Sequence, residues 1–186
     1  MQKIIFIVYI FFLLPYSTTM ANEEASYDVV HKTDIYEVRY YSDRLVAQVT
    51  NKGDNNSFRK LFNYISGENK NSEKIAMTIP VTQTKKDGEL FMQFYLPSKF
   101  NKETTPIPTN PDLEITTIPE GYFAVIKFSG RSSDKNFEKH NKILKQKLLD
   151  DKIPINGFAV RATYNSPFTL PPLRRNEAMF SIDWKN

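Results

Sequence analysis

The chain has 186 residues, of which 40% are hydrophobic and 25% charged, a balance typical of globular domains rather than disordered segments. It contains no cysteine and only two histidines, His31 and His140, so disulfides, thiolate nucleophiles and multi-histidine metal centres are excluded. The formal net charge of +4 is mild, and no basic stripe with interleaved aromatics runs along the chain, so no nucleic-acid surface is expected.

Residues 1–21 read as a secretory signal. Lys3 is the charged start, and Ile4 to Leu14 is an unbroken apolar run followed by Pro15. That run is too short to cross a bilayer as a helix. Thr19 and Ala21 supply small residues at the −3 and −1 positions, so cleavage is expected after Ala21. Lys3 is the only charged residue removed, which leaves a net charge of +3. Export without cysteines fits a bacterial periplasm better than a small disulfide-bonded secreted domain. The expected product is periplasmic or secreted, monomeric, and without a membrane span.

Residues 22–34 form a polar lead-in to a domain over 35–186. From Tyr36 the chain alternates, with Tyr36, Val38 and Tyr40 on one face and Glu37 and Arg39 on the other, which predicts a half-buried strand. Ser42-Asp43-Arg44 reads as a turn into a second strand, Leu45 to Thr50, and the two are expected to form a hairpin. Ser57 is the expected N-cap of a helix whose apolar stripe is Phe58, Leu61, Phe62 and Ile65, with Gly67 as its stop. Ile75 to Thr84 is β-rich but interrupted by Pro80, which implies an edge, bulge or strand end. Leu90 to Leu96 returns as a strand after the Lys86-Asp87-Gly88 turn. Pro97, Pro106, Pro108 and Pro111 mark a long crossing loop.

The segment from Leu113 then repeats the segment from Tyr36. At an offset of 77 the two align without a gap for 18 residues, matching Glu37 with Glu114, Ala47 with Ala124, Val49 with Ile126 and Gly53 with Gly130. A second helix over Asp134 to Leu149, with Phe137, Leu144 and Leu148 inward, and strands at Phe158–Tyr164 and Ala178–Trp184 complete the repeat. Each half, 35–97 and 112–185, therefore reads strand-strand-helix-strand-strand, the mark of a duplicated unit. One half cannot bury its sheet face alone. The expected fold is α+β, with the pseudo-twofold pair forming an eight-stranded, distorted barrel-like sheet flanked by two helices. A groove between helix and sheet is the natural ligand site.

No catalytic constellation is legible. The serines at Ser129, Ser132 and Ser133 lack a histidine-and-acid signature, and no glycine loop could cradle a phosphate, so no enzyme is expected.

Four segments carry a family likeness. They are Tyr36-Glu37-Val38-Arg39-Tyr40-Tyr41; Phe62 to Gly67 with Lys74-Ile75-Ala76-Met77-Thr78-Ile79-Pro80-Val81; Phe94-Tyr95-Leu96-Pro97-Ser98; and Tyr164-Asn165-Ser166-Pro167 with Leu173-Arg174-Arg175-Asn176-Glu177. In this order the chain resembles the SOUL family of heme-binding proteins over about residues 34–184. The resemblance implies non-covalent heme, or a related tetrapyrrole, held in an apolar groove without catalysis. Its candidate binding residues here are Tyr40, Phe58, Phe62, Ile65, Met77, Arg174 and Arg175. Animal members with a proposed axial histidine carry it directly after the Tyr-Glu-x-Arg motif, and this chain has Tyr40 there. Tyr40 and His140 are weak axial-ligand candidates, each also readable as packing. Met77 reads as a core methionine or a thioether donor. Arg174 and Arg175 suit propionates or an internal ion pair, with Glu177 as one partner. Two other readings stay open: an exported module for a different amphipathic small molecule, and a protein-interaction scaffold with filled grooves.

Overall fold

The computed structural model describes residues 22–51 and 56–185; the expected signal segment at 1–21 and Gly53 lie outside the described residues. Its strands are β1 (Glu23–Glu24), β2 (Asp28–Lys32), β3 (Glu37–Tyr41), β4 (Arg44–Asn51), β5 (Thr78–Ile79), β6 (Val81–Lys86), β7 (Glu89–Tyr95), β8 (Leu113–Ile118), β9 (Gly121–Phe128), β10 (Val160–Thr163) and β11 (Asn176–Ile182). Its helices are α1 (Ser57–Ile65) and α2 (Asp134–Asp150), with a 3-10 turn at Pro171–Leu173. Among the described residues no helix is long and apolar enough to cross a membrane.

A curled antiparallel sheet runs in the order β2-β3-β9-β11-β10-β6-β7-β4-β8. Without β2 the order is a palindrome of the two halves. Val38 pairs with Ala124, and Ala47 pairs with Ile115. Moving each residue by the offset of 77 turns one pair into the other, so the duplication seen in the sequence is preserved residue by residue in the ladders. Further in, Val49 faces Met92 as Ile126 faces Ala178. At the centre β6 pairs with its own mate β10, with Gln83 opposite Arg161.

Four expectations change. First, the hairpins are exchanged: β3 pairs with β9 and β4 with β8. A tight two-residue hairpin needs positive φ in its turn. Ser42, Asp43, Pro119 and Glu120 are absent from the positive-φ positions. Each strand therefore crosses to the other half, and the halves lock together. Second, the lead-in contributes β1, parallel to β5, and β2, which adds a ninth strand beside β3. All five β2 residues are exposed, so no apolar alternation announced it. Third, β3 is buried on both faces, with Arg39 and Tyr41 inside and Tyr40 only half-buried. Fourth, Asn56 rather than Ser57 occupies the N-cap of α1, and it makes no side-chain capping bond. The expected break at Pro80 is a strand end, and Ile79–Pro80 is a cis peptide.

Each helix covers one half of the sheet. α1 lays Leu61, Tyr64 and Ile65 on Ala47, Val49, Met92 and Phe94. α2 lays Phe137, Leu144 and Leu148 on Ala124, Ile126, Ala178 and Phe180. These are the same sheet positions in the two halves. Leu61, Leu144 and Leu148 are fully buried, and each contributes roughly 1.5–3 kcal/mol by leaving water. A third cluster, with Tyr41, Phe123, Val125, Tyr164 and Met179, fills the opposite face of the sheet.

Candidate ligand-binding site

Only part of the α1 stripe enters the core. Phe58 and Phe62 lie to one side of it, each 49% exposed. Their rings sit 6.2 Å apart and nearly parallel, and Phe58 meets Phe94 edge-on at 5.2 Å. Exposed, preordered aromatic faces of this kind cost free energy unless something covers them. Beside them opens a cavity of about 530 Å³, within the usual range for small-molecule sites. Met77, Ile79, Val81 and Met92 form its apolar floor. Thr163, Tyr164 and the Asn165-Ser166-Pro167 turn form the far wall, with Arg174 and Asn22 also lining it.

The far wall is held by a buried charge network. Arg39 forks onto Glu177 through two bonds of 3.0 Å, and both side chains are wholly buried. The Tyr164 hydroxyl donates to the same carboxylate at 2.6 Å. Burial, together with the Glu177 charge, pushes the Tyr164 phenol far up, so it stays a neutral donor rather than a phenolate. Glu37 is pushed up by burial, but hydrogen bonds from Arg39 and Lys127 outweigh this and hold it below the usual carboxylate range. Arg39 on its polar-looking strand face gave no sign of burial. Its partner Glu177 lies 138 positions away, beyond any local pattern.

Four of the sequence-predicted residues line the cavity: Phe58, Phe62, Met77 and Arg174. Arg174 donates from Nε to the Thr169 carbonyl at 2.7 Å and from Nη2 to the Pro167 carbonyl at 2.6 Å. Those neutral acceptors fix its fork without neutralising it. Ile65 is buried in the α1 core instead, because it continues the Leu61 side of the helix. Arg175 pairs with Glu24 and Glu177 and lies 3.7 Å over the Tyr164 ring, outside the cavity lining. Its expected internal partner Glu177 is therefore one of two.

Neither weak axial candidate reaches the cavity. The Tyr40 hydroxyl donates to Glu120, which holds the phenol above its ordinary range, and its ring packs on Tyr122. His140 stacks on Phe128 at 4.1 Å, and its Nδ1 donates to the Asn136 carbonyl at 2.8 Å. Met92, Tyr164 and the 165–167 turn were not singled out as site residues. The turn lies within a family-like segment, and Met92 faces the cavity only because β7 pairs with β6. Among the described residues no group of three or more His, Asp or Glu could hold a metal ion.

The comparisons with known proteins bear on family and fold. A family model described as SOUL heme-binding protein matches residues 22–181. Heme-binding protein 2 of Mus musculus is 28% identical over 177 residues, which is 88% of this chain and 85% of that protein. Heme-binding protein 2 of Homo sapiens is 29% identical over 161 residues, 79% of this chain and 77% of its own. Among solved structures, the EcmrR C-terminal domain superposes with a TM-score of 0.60 at 12% identity, over 80% of this chain and 96% of that one. A hydrolase from Listeria innocua gives 0.60 at 10%, over 83% and 94%. Similarity at that level is of fold alone. The family match runs from Asn22, just before β1, to Ser181 in β11 and includes every wall of the cavity, and on that match the chain belongs to the SOUL family of heme-binding proteins.

Proposed function

We propose that this protein binds heme or a related tetrapyrrole, non-covalently and without catalysis, in the cavity beside α1. The observation that carries the reading is the pair of exposed, parallel Phe58 and Phe62 rings over an apolar floor, with the fixed Arg174 fork at the rim. Burying apolar ligand surface there contributes roughly 25 cal/mol per Å². Phe58 and Phe62 would cover one face of a flat ring system, and Met77, Val81 and Met92 would support the other side. Arg174 would pair with a carboxylate while its own position is set by the Thr169 and Pro167 carbonyls. Heme would bring an iron with axial positions and two propionates. Met77 and Met92 are the thioether donors that line the cavity, and the neutral Tyr164 phenol can donate a hydrogen bond but not ligate as phenolate.

The reading extends to location. The protein acts as a monomer in the cell envelope after cleavage behind Ala21, without a nucleic-acid partner. The cavity wall includes Ser166 and Ser132, whose hydroxyl meets that of Thr163 at 3.2 Å.

A hemin titration of the chain from Asn22 onward tests this. All described strands, both helices and the three cores lie within that chain. A saturable Soret shift at about one equivalent, weakened when Phe62 becomes Asp, is the expected result. A shift that never saturates, or one indifferent to Phe62→Asp, contradicts the assignment of heme to this cavity. Envelope location is checked by fractionation and N-terminal mass: a cytoplasmic product retaining Met1 contradicts it.

A further inference from the structure

The turn that closes the far wall of the cavity carries a second feature. Phe168 is 94% exposed, Leu170 67% and Leu173 72%. Three large apolar side chains protrude within six positions, from a segment, 165–175, that contains no acidic residue. Water is a poor environment for such a tip, and isolated exposed apolar residues do not usually cluster so tightly.

Much of the backbone of the tip is satisfied from within. The amides of Phe168 and Thr169 donate to Ser166, that of Leu173 to the Leu170 carbonyl, and that of Arg174 to the Pro171 carbonyl. Arg174 covers the Pro167 and Thr169 carbonyls. Pro167, Pro171 and Pro172 have no N–H to satisfy. Backbone groups that need little water favour entry at the boundary of a bilayer, and these internal bonds and prolines reduce the number left to hydrate.

Cations stand next to it. The Gly130 amide donates to the Pro171 carbonyl and its own carbonyl accepts from Asn176, which clamps the following residues against the tip. Arg131 follows the clamped Gly130 directly, Lys135 lies in the first turn of α2 five residues after it, and both are exposed. The nearest acid in that stretch, Asp134, is engaged by Arg161 at 2.7 Å. A convex apolar tip flanked by cations matches an anionic lipid surface, in which apolar side chains sink while basic ones meet headgroups.

We propose that the 165–174 loop inserts into an anionic lipid surface and seats the mouth of the cavity on it. Asn165, Ser166, Pro167 and Arg174 belong to both loop and cavity wall. A membrane-dissolved amphipathic ligand would then enter without crossing water. This goes beyond heme binding and does not depend on it.

Cosedimentation of the chain from Asn22 with phosphatidylcholine vesicles, with and without phosphatidylglycerol, tests the proposal. Binding is expected on the phosphatidylglycerol vesicles and is expected to weaken with added salt. The triple variant Phe168→Ser, Leu170→Ser, Leu173→Ser should bind at least about a hundredfold more weakly. The pair Arg131→Glu and Lys135→Glu should cost about tenfold or more on the anionic vesicles only. None of these five residues lines the cavity, so hemin titration and melting temperature should match the parent. A parent that fails to sediment with either vesicle overturns the proposal, as does a triple variant that sediments as well as the parent. Light scattering that finds a dimeric parent and a monomeric triple variant also overturns it, because a second copy then covers the tip.

Discussion

The groove beside α1 and the groove beside α2 occupy equivalent places in the two halves, and their linings are opposite in character. Val81 and Gln83 line the first. Their mates Ala159 and Arg161 line the second, which measures about 690 Å³ against about 530 Å³. The first turns of α1 offer Phe58 and Phe62, whereas those of α2 offer Asp134 and Glu138. Arg161 pairs with Asp134 and lies 4.6 Å over the Phe137 ring, so the second groove carries its own occupant. Backbone and register are shared; ligand capacity follows the side chains, and the larger cleft is the less suitable one.

The same asymmetry appears behind the sheet. Lys127 faces Glu177 as Thr50 faces Phe91, so Phe91 stands where the other half has its buried carboxylate. Replacing Glu177 with Leu leaves the buried Arg39 with Glu37 as its one carboxylate and strips the Tyr164 hydroxyl of its acceptor, with an expected cost of about 3–5 kcal/mol and a melting temperature lower by roughly 10 °C. Phe91→Ala should cost less than half of that, roughly 1–2 kcal/mol, because the side chain is only half-buried. Equal losses in calorimetry would show that the network is not special to one half.

The cores should behave alike where the grooves do not. Leu61→Ala and Leu144→Ala each empty a fully buried position under a helix, and each is expected to cost about 2–5 kcal/mol in urea unfolding. A difference between them larger than that spread would break the equivalence of the two helix seats. At the grooves, Phe58→Asp with Phe62→Asp copies the acidic character of α2 onto α1. Hemin affinity should fall by about 30-fold or more, since both burial and charge oppose the ligand. Stability should hardly change, because both rings are half exposed.

Both cores carry a buried phenol that responds to alkaline pH: Tyr36 in the α2 core, raised by burial and by its hydrogen bond to Asp151, and Tyr64 in the α1 core. Burial pushes the Tyr64 phenol up to about 12, and its hydroxyl donates to the Pro106 carbonyl at 2.7 Å. The α2 core cluster reaches the same helix-facing positions with Phe137, Leu144 and Leu148. An unfolded tyrosine ionises near 10, so the unfolded chain sheds this proton first as pH rises. The stability that Tyr64 contributes is complete below about pH 10 and is lost at up to about 1.4 kcal/mol per pH unit between 10 and 12. Urea midpoints of Tyr64→Phe should show a shallower alkaline decline than the parent; an identical decline would remove Tyr64 from the account.

Much of the fold was legible because it is written twice. The Tyr36 and Leu113 segments share an offset that the ladders reproduce, and the spacing of Leu61 and Ile65 in α1 and of Phe137, Leu144 and Leu148 in α2 marks their inner faces. Pairing partners were not legible, because alternation gives the face of a strand but not its neighbour. That is why β3 and β4 read as a hairpin, and why exposed β2 read as a lead-in. In the site, Phe58, Phe62, Met77 and Arg174 were found through periodicity and family segments. Ile65 was lost to the core by one helical step, and Arg175 to an ion pair with Glu24, which lies in the lead-in. Tyr164 and Arg39 needed the third dimension, since only the sheet brings them to one carboxylate.

The central claim is that the α1 groove, and not its mate, holds the ligand. Methyl-labelled methionine and alanine in the chain from Asn22 give a reporter in each: Met77 and Met92 in the first, Ala159 in the second. Substoichiometric ferric hemin, which is paramagnetic, should broaden the Met77 and Met92 methyl signals first and leave Ala159 sharp. Broadening that begins at Ala159, or that touches neither groove, would contradict the account.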